Sequence, residues 1–134
     1  VRVVVIDSLN GYLNAMPDER FLIAQLHELL TYLGQRAVAT MLIGAQHGLI
    51  GMQMQTPVEA SYLADAVVLL RYYELDGEVR QAISVLKKRG GAHERTIRAF
   101  TLTSNGVNVG EPLRNFRGIL TGIPVPIDGV RSAP

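Results

Sequence analysis

Asp7 and Ser8 end an unbroken β-branched run, Val3-Val4-Val5-Ile6. Such a run reads as a strand buried on both faces of a parallel sheet. Ligands of open α/β sheets sit beyond the carboxyl ends of these strands. A carboxylate there can hold the Mg2+ that travels with ATP, as the Walker B aspartate of nucleotide hydrolases does. An acid after a strand also serves simply to cap the next turn, and the strand end alone does not separate the two roles. A second cluster is Lys87-Lys88-Arg89-Gly90-Gly91-Ala92-His93-Glu94-Arg95, in which four cations and a histidine surround two glycines. Glycines let backbone N–H groups approach a phosphate, and the planar fork of arginine pairs with phosphate oxygens. A solvated hairpin tip has the same composition. A nucleic-acid patch is the other plain reading, but no aromatic residues are interleaved for base stacking.

The elements that must position these residues follow from periodicity and turn chemistry. Asn10-Gly11 predicts a loop after Asp7, and Pro17-Asp18-Glu19 predicts a helix start. Leu22, Leu26, Leu29, Leu30 and Leu33 recur at helical spacing, with Gly34 as the stop. Val38 to Ile43 is the next buried strand, which makes a βαβ unit and so a parallel sheet. Gly44 to Pro57 reads as a long loop, Pro57 to Leu63 as a short helix, and Ala64 to Tyr73 as a third core strand. Asp76-Gly77 predicts a tight hairpin turn, from which Arg80 to Lys88 returns antiparallel. Thr96 to Thr103 gives another strand and Asn105-Gly106 another turn. The fold class expected is α/β: a parallel βαβ followed by an antiparallel meander, the order of a partial RecA-like P-loop ATPase core, although other mixed sheets give the same order. Residues 1–124 are expected to form its C-terminal half, and residues 125–134 a loose tail.

The 134 residues suffice for one domain with a core, and 48% apolar with 19% charged residues is an ordinary globular balance. A net charge of +1 gives no bulk attraction to nucleic acid or membrane, so an anion site must come from local clustering. The chain has no cysteine, which excludes disulfides, thiolate zinc sites and a cysteine nucleophile. No apolar run reaches the ~20 residues of a membrane span. These features suit a cytoplasmic protein without membrane contact. His27, His47 and His93 lack metal-ligand spacing. A Ser8, His47, Asp65 hydrolase triad would lack the nucleophile elbow. The opening valine, already in strand pattern, suggests an excised piece.

The ordered series Val5-Ile6-Asp7-Ser8-Leu9, Ala64-Asp65-Ala66-Val67-Val68-Leu69-Leu70, Ala82-Ile83-Ser84-Val85-Leu86-Lys87-Lys88-Arg89-Gly90, Ile97-Arg98-Ala99-Phe100 and Phe116-Arg117-Gly118-Ile119-Leu120-Thr121-Gly122-Ile123-Pro124 resembles the KaiC family. This is the circadian-clock branch of the RecA-like ATPases. The resemblance implies a ring of like subunits, with ATP and Mg2+ held at sites shared between neighbours, and clock or signalling partners. Asp7 would be the Mg2+ ligand, with Ser8 beside it. Lys87 and Arg89 would reach the γ-phosphate of the adjacent subunit's ATP. Lys88, Gly91, His93 and Arg95 would line the rest of that nucleotide. Gln46 would be a polar sensor near the phosphate, although an ordinary loop glutamine fits its place equally. An autokinase activity on Ser or Thr is a further implication. Its phosphosite candidate is Ser61, but Tyr62 stands where the family carries the threonine of a Ser-Thr pair.

The phosphate loop and the activating acids would precede Val1, so the chain by itself is expected to be inactive. The phosphate-loop strand is missing between the second and third core strands. The resulting slot is expected to close by direct pairing of those strands, or to be filled from another chain in a non-native dimer. Two alternatives stand beside the ATPase. One is a RecA/RadA-type DNA-recombination ATPase, against which Gly44 to Pro57 carries no Lys or Arg. The other is a non-catalytic assembly or signalling module that kept the fold.

Overall fold

The computed structural model describes residues 1–15, 18–45 and 62–127. The predicted loop beyond Ala45 and most of the short helix before Leu63 lie outside the described residues, as do residues 128–134. The described residues form two compact units, one of residues 1–45 with 62–63 and one of residues 64–127.

The first unit runs β1 (Val3–Asp7), α1 (Leu9–Ala15), α2 (Glu19–Gln35), β2 (Ala39–Ile43). β1 and β2 pair in parallel, from Val3 opposite Ala39 to Asp7 opposite Ile43. The predicted βαβ unit is therefore present. Helix α1 replaces the loop expected at Asn10-Gly11. Leu9 is buried against Leu22 and Leu26, and that burial overrides the poor helix propensity of Asn and Gly. Asp18 caps α2 as expected, its carboxylate accepting from the backbone N–H of Arg20 at 3.0 Å and of Phe21 at 3.4 Å. Leu22 and Leu26, 1% and 3% exposed, form the core with half-buried Ile23, Leu42 and Leu63. Each such leucine contributes roughly 1.5–3 kcal/mol by leaving water.

Gly34 is not the stop. It lies in the last turn of α2, and the helix ends in a Schellman motif with Ala37 in the left-handed region at φ 55°. The N–H of Val38 bonds the carbonyl of Leu33 at 3.0 Å, and that of Ala37 bonds Gly34 at 3.0 Å. The two bonds satisfy the terminal carbonyls and hold an alanine where glycine is usual. β1 also departs from the expected burial on both faces. Val3 and Val5 are 58% and 55% exposed, because α2 supplies an apolar partner to one face only.

The second unit is a four-stranded antiparallel sheet in the order β3 (Ala66–Leu75), β4 (Glu78–Lys88), β5 (Arg98–Thr103), β6 (Gly106–Pro112). The predicted meander is present, with β6 a strand that the sequence pattern left unassigned. Asp76 and Gly77 turn the β3–β4 hairpin at φ 54° and 74°, both positive as a type I′ turn requires. β7 (Phe116–Arg117) and β8 (Val125–Pro126) form a separate small pair. Between them Ile119–Thr121 makes a 3-10 turn.

One face of β3–β4 is buried, through Leu69, Arg71, Tyr73, Ala82 and Ser84. Ile119 packs on it with half-buried Leu75, Ile97, Leu113 and Phe116. Arg71, 5% exposed, donates from Nε to the Leu120 carbonyl at 2.9 Å and so ties the turn to the sheet.

β2 and β3 lie in different sheets, so the direct pairing expected across the slot does not occur among the described residues. Among the described residues β3 pairs only with β4, through the predicted hairpin, whose short turn costs little loop-closure entropy.

Candidate functional site

The candidate residues divide between the two units. Asp7 is the last residue of β1, opposite Ile43, at the carboxyl end of both parallel strands. Its side chain is exposed there, and the Asp7–Ser8 peptide is cis. Ser8 is half-buried, and its carbonyl accepts from the N–H of Gly11 at 3.1 Å, closing the first turn of α1. An exposed carboxylate at this rim offers hard oxygen donors of the kind Mg2+ takes, usually one or two from protein with water and phosphate completing the shell. Among the described residues no group of three or more His, Asp or Glu could hold a metal by itself. Gln46 and Ser61 lie outside the described residues.

Asn10, whose place before Gly11 predicts only a loop, organises this rim. Its carboxamide nitrogen donates to the Ala45 carbonyl at 3.0 Å, and its carboxamide oxygen accepts from the Ala45 N–H at 2.8 Å. The side chain mimics a strand partner and fixes the chain just past β2. Its partner is 35 residues away, beyond the reach of periodicity.

In the second unit a β-bulge decides where the cations point. Val67 pairs with Lys87 but Val68 pairs with Val85, so Leu86 is an extra residue in β4. Side chains alternate along a strand, and one inserted residue reverses every position after it. Lys87 therefore shares the face of Val67 and Leu69, the face that Arg71 and Tyr73 bury. Lys88, opposite Ala66, is exposed on the other face.

Arg89 continues the ladder one step past β4. Its N–H donates to the Asp65 carbonyl at 2.6 Å, and its guanidinium meets the Asp65 carboxylate at 3.1 Å. Gly90 and Gly91, at φ 80° and 104°, then swing the chain away, as only glycine does without strain.

His93 is half-buried and Arg95 exposed on the following segment. Glu94 between them accepts from both the hydroxyl and the N–H of Thr96 and lies 3.6 Å from the Arg98 guanidinium. The Thr96 hydrogen bonds, and after them the Arg98 charge, hold the Glu94 carboxyl below the usual carboxylate range. The loop's one acid is thereby committed to bracing the loop. The sequence points to Leu86 in no role, and to Asp65 only in the Ser8, His47, Asp65 triad that lacks its elbow. The Asp65–Arg89 contact spans 24 positions, and a bulge shows only in the register of two paired strands.

The model of the KaiC ATPase family matches residues 1–114. The chain belongs to the KaiC family. It is 36% identical over 97 residues to the circadian clock protein KaiC3 of Synechocystis sp., covering 72% of this chain and 19% of that protein. It is 30% identical over 125 residues to the circadian clock oscillator protein KaiC of Synechococcus elongatus, covering 92% of this chain and 24% of that protein. With KaiC of Thermosynechococcus vestitus the identity is 37% over 78 residues, 58% of this chain and 15% of that protein. The chain thus spans about a fifth of the length of the curated KaiC relatives it matches. Its mixed fold, parallel strands leading into an antiparallel sheet, is that of a partial RecA-like core. No helix among the described residues is long and apolar enough to cross a membrane.

Proposed function

We propose that this KaiC-family chain is the Asp7-bearing half of an ATP-hydrolysing module. Its basic strand end serves the nucleotide of a neighbouring subunit in a ring. The observation that carries the reading is the exposed Asp7 carboxylate at the carboxyl end of parallel β1 and β2. Asp7 would hold Mg2+, which when bound neutralises charge on the β- and γ-phosphates of ATP. Ser8 closes the turn that keeps the Asp7 backbone at the rim.

Lys87 and Arg89 act in trans in this reading, which is supported by their sharing one face of the strand end, Lys87 opposite Val67 and Arg89 beside Asp65. Cations aimed at a transferring phosphoryl group stabilise the charge it develops, the role of an arginine finger. Lys88, Gly91, His93 and Arg95 contact the remainder of the same nucleotide, and Gln46 senses its γ-phosphate. Ser61 is the acceptor of an autokinase step. Turnover belongs to the longer protein, in which upstream sequence supplies the phosphate loop.

The test is subunit mixing in the full-length protein. Asp7→Asn and Arg89→Ala rings should each lose ATP turnover, the latter by about 1,000-fold, as for loss of an arginine finger. Mixed rings should regain activity, because an Arg89→Ala subunit keeps its own Asp7 while an Asp7→Asn neighbour lends it Arg89. Turnover that stays lost on mixing would defeat sharing between subunits. Wild-type turnover by Asp7→Asn would defeat the reading altogether.

A further inference from the structure

Asp65 touches Arg89 twice, through its main-chain carbonyl and through its carboxylate. We propose that Asp65 is the positioning residue of Arg89, setting the direction of the guanidinium before phosphate arrives. The proposal rests on the reading of Arg89 as a phosphate-facing cation.

The geometry is that of an extra ladder rung. Ala66 pairs with Lys88, and the bond from the Arg89 N–H to the Asp65 carbonyl extends the pairing by one residue on each strand. Side chains of paired residues stand on the same face, so the carboxylate meets the guanidinium with little searching. The side chains are 81% and 60% exposed, so the pair adds little to the stability of the fold. Its effect is on conformation. Arginine is rich in rotamers, and ordering such a side chain on binding costs affinity unless it is held beforehand. One guanidinium nitrogen is bonded to Asp65, immediately ahead of the two glycines where the chain departs. An aspartate is short enough to pin one tip of the fork while adding little mobility of its own. Removing it leaves Arg89 in place but no longer aimed.

The experiment is steady-state ATP turnover by the full-length protein carrying Asp65→Ala, Asp65→Asn, Asp65→Glu, Arg89→Ala and the double variant Asp65→Ala/Arg89→Ala. Asp65→Ala and Asp65→Asn should lower kcat about 3- to 10-fold with KM for ATP nearly unchanged, the mark of an interaction felt in the transition state. Asp65→Glu should recover most of the rate. The double variant should turn over no more slowly than Arg89→Ala alone, since a residue that acts only through Arg89 has nothing left to act on. A further loss in the double variant, or undiminished kcat in Asp65→Ala while Arg89→Ala is impaired, overturns the proposal and leaves the role of Arg89 standing. Undiminished turnover by Arg89→Ala overturns both.

Discussion

Asn10 and Ala45 are joined by a reciprocal pair of hydrogen bonds, at 3.0 and 2.8 Å, from one side chain to both polar groups of one peptide residue. The pair ties the first turn of α1 to the exit of β2 at the rim where β1 ends in Asp7. Asn10→Ala should cost about 1–2 kcal/mol, since two hydrogen bonds disappear at a half-buried position. Asn10→Asp should cost at least as much at neutral pH, because a carboxylate oxygen then faces the Ala45 carbonyl. Chemical denaturation of the two variants measures both.

Leu86 is a spacer, the residue of β4 between Val85 and Lys87 that has no partner on β3. Deleting it should remove the bulge while leaving Lys87 opposite Val67 and Arg89 beside Asp65, because the residue removed is the unpaired one. Mixed rings built with the deletion as finger donor should therefore still rescue an Arg89→Ala partner, and a failure to rescue would show that the bulge itself shapes the finger. Leu86→Ala, which keeps the extra residue, should rescue equally well.

Two glycines should respond to alanine in opposite directions. Gly34 lies within α2 and a Cβ there meets nothing within 4 Å, so Gly34→Ala should stabilise by about 0.5–1 kcal/mol. Gly118 has φ 77°, and a Cβ would sit 2.8 Å from the Ile123 carbonyl oxygen. Gly118→Ala should destabilise by about 1–3 kcal/mol through strain at a left-handed position. Thermal melts of the pair give both signs.

Burial lifts the Tyr73 phenol above its ordinary value, outweighing the opposing Arg80 charge. With the folded value raised, the folded chain keeps a proton that the unfolded chain releases above about pH 10. The contribution is whole below that pH and is lost as pH rises through the folded value. Stability should therefore fall on the alkaline side, and Tyr73→Phe should flatten the fall in denaturation curves measured from pH 9 to 11.

For Glu94 the direction is reversed, and Thr96 is the chief cause. Its folded value is depressed, so its contribution is present above the unfolded carboxyl value and disappears as pH falls through the folded one. Thr96→Val should move the Glu94 titration back up toward the ordinary range, read from carboxyl chemical shifts. An unchanged titration would show that the Thr96 hydroxyl is not the cause.

What the sequence determined by itself was everything that local physics sets. The β-branched run that ends in Asp7, the leucine period of α2 with Asp18 at its cap, and Asp76-Gly77 in its hairpin each follow from contacts a few residues apart. The ordered motifs likewise sufficed to point to the KaiC family. Only the tertiary structure decided the features that need two distant segments at once. Gly34 became an interior residue because Leu33 and Gly34 found capping partners in Val38 and Ala37. Asn10 became a helical clamp because Ala45 lay within its reach. Lys87 came to lie on the face of Val67 and Leu69 because β3 and β4 fall out of step at Leu86. A side chain's type can be read along one strand, but its direction is fixed by the register against the next. That register is a property of the pair, not of either sequence.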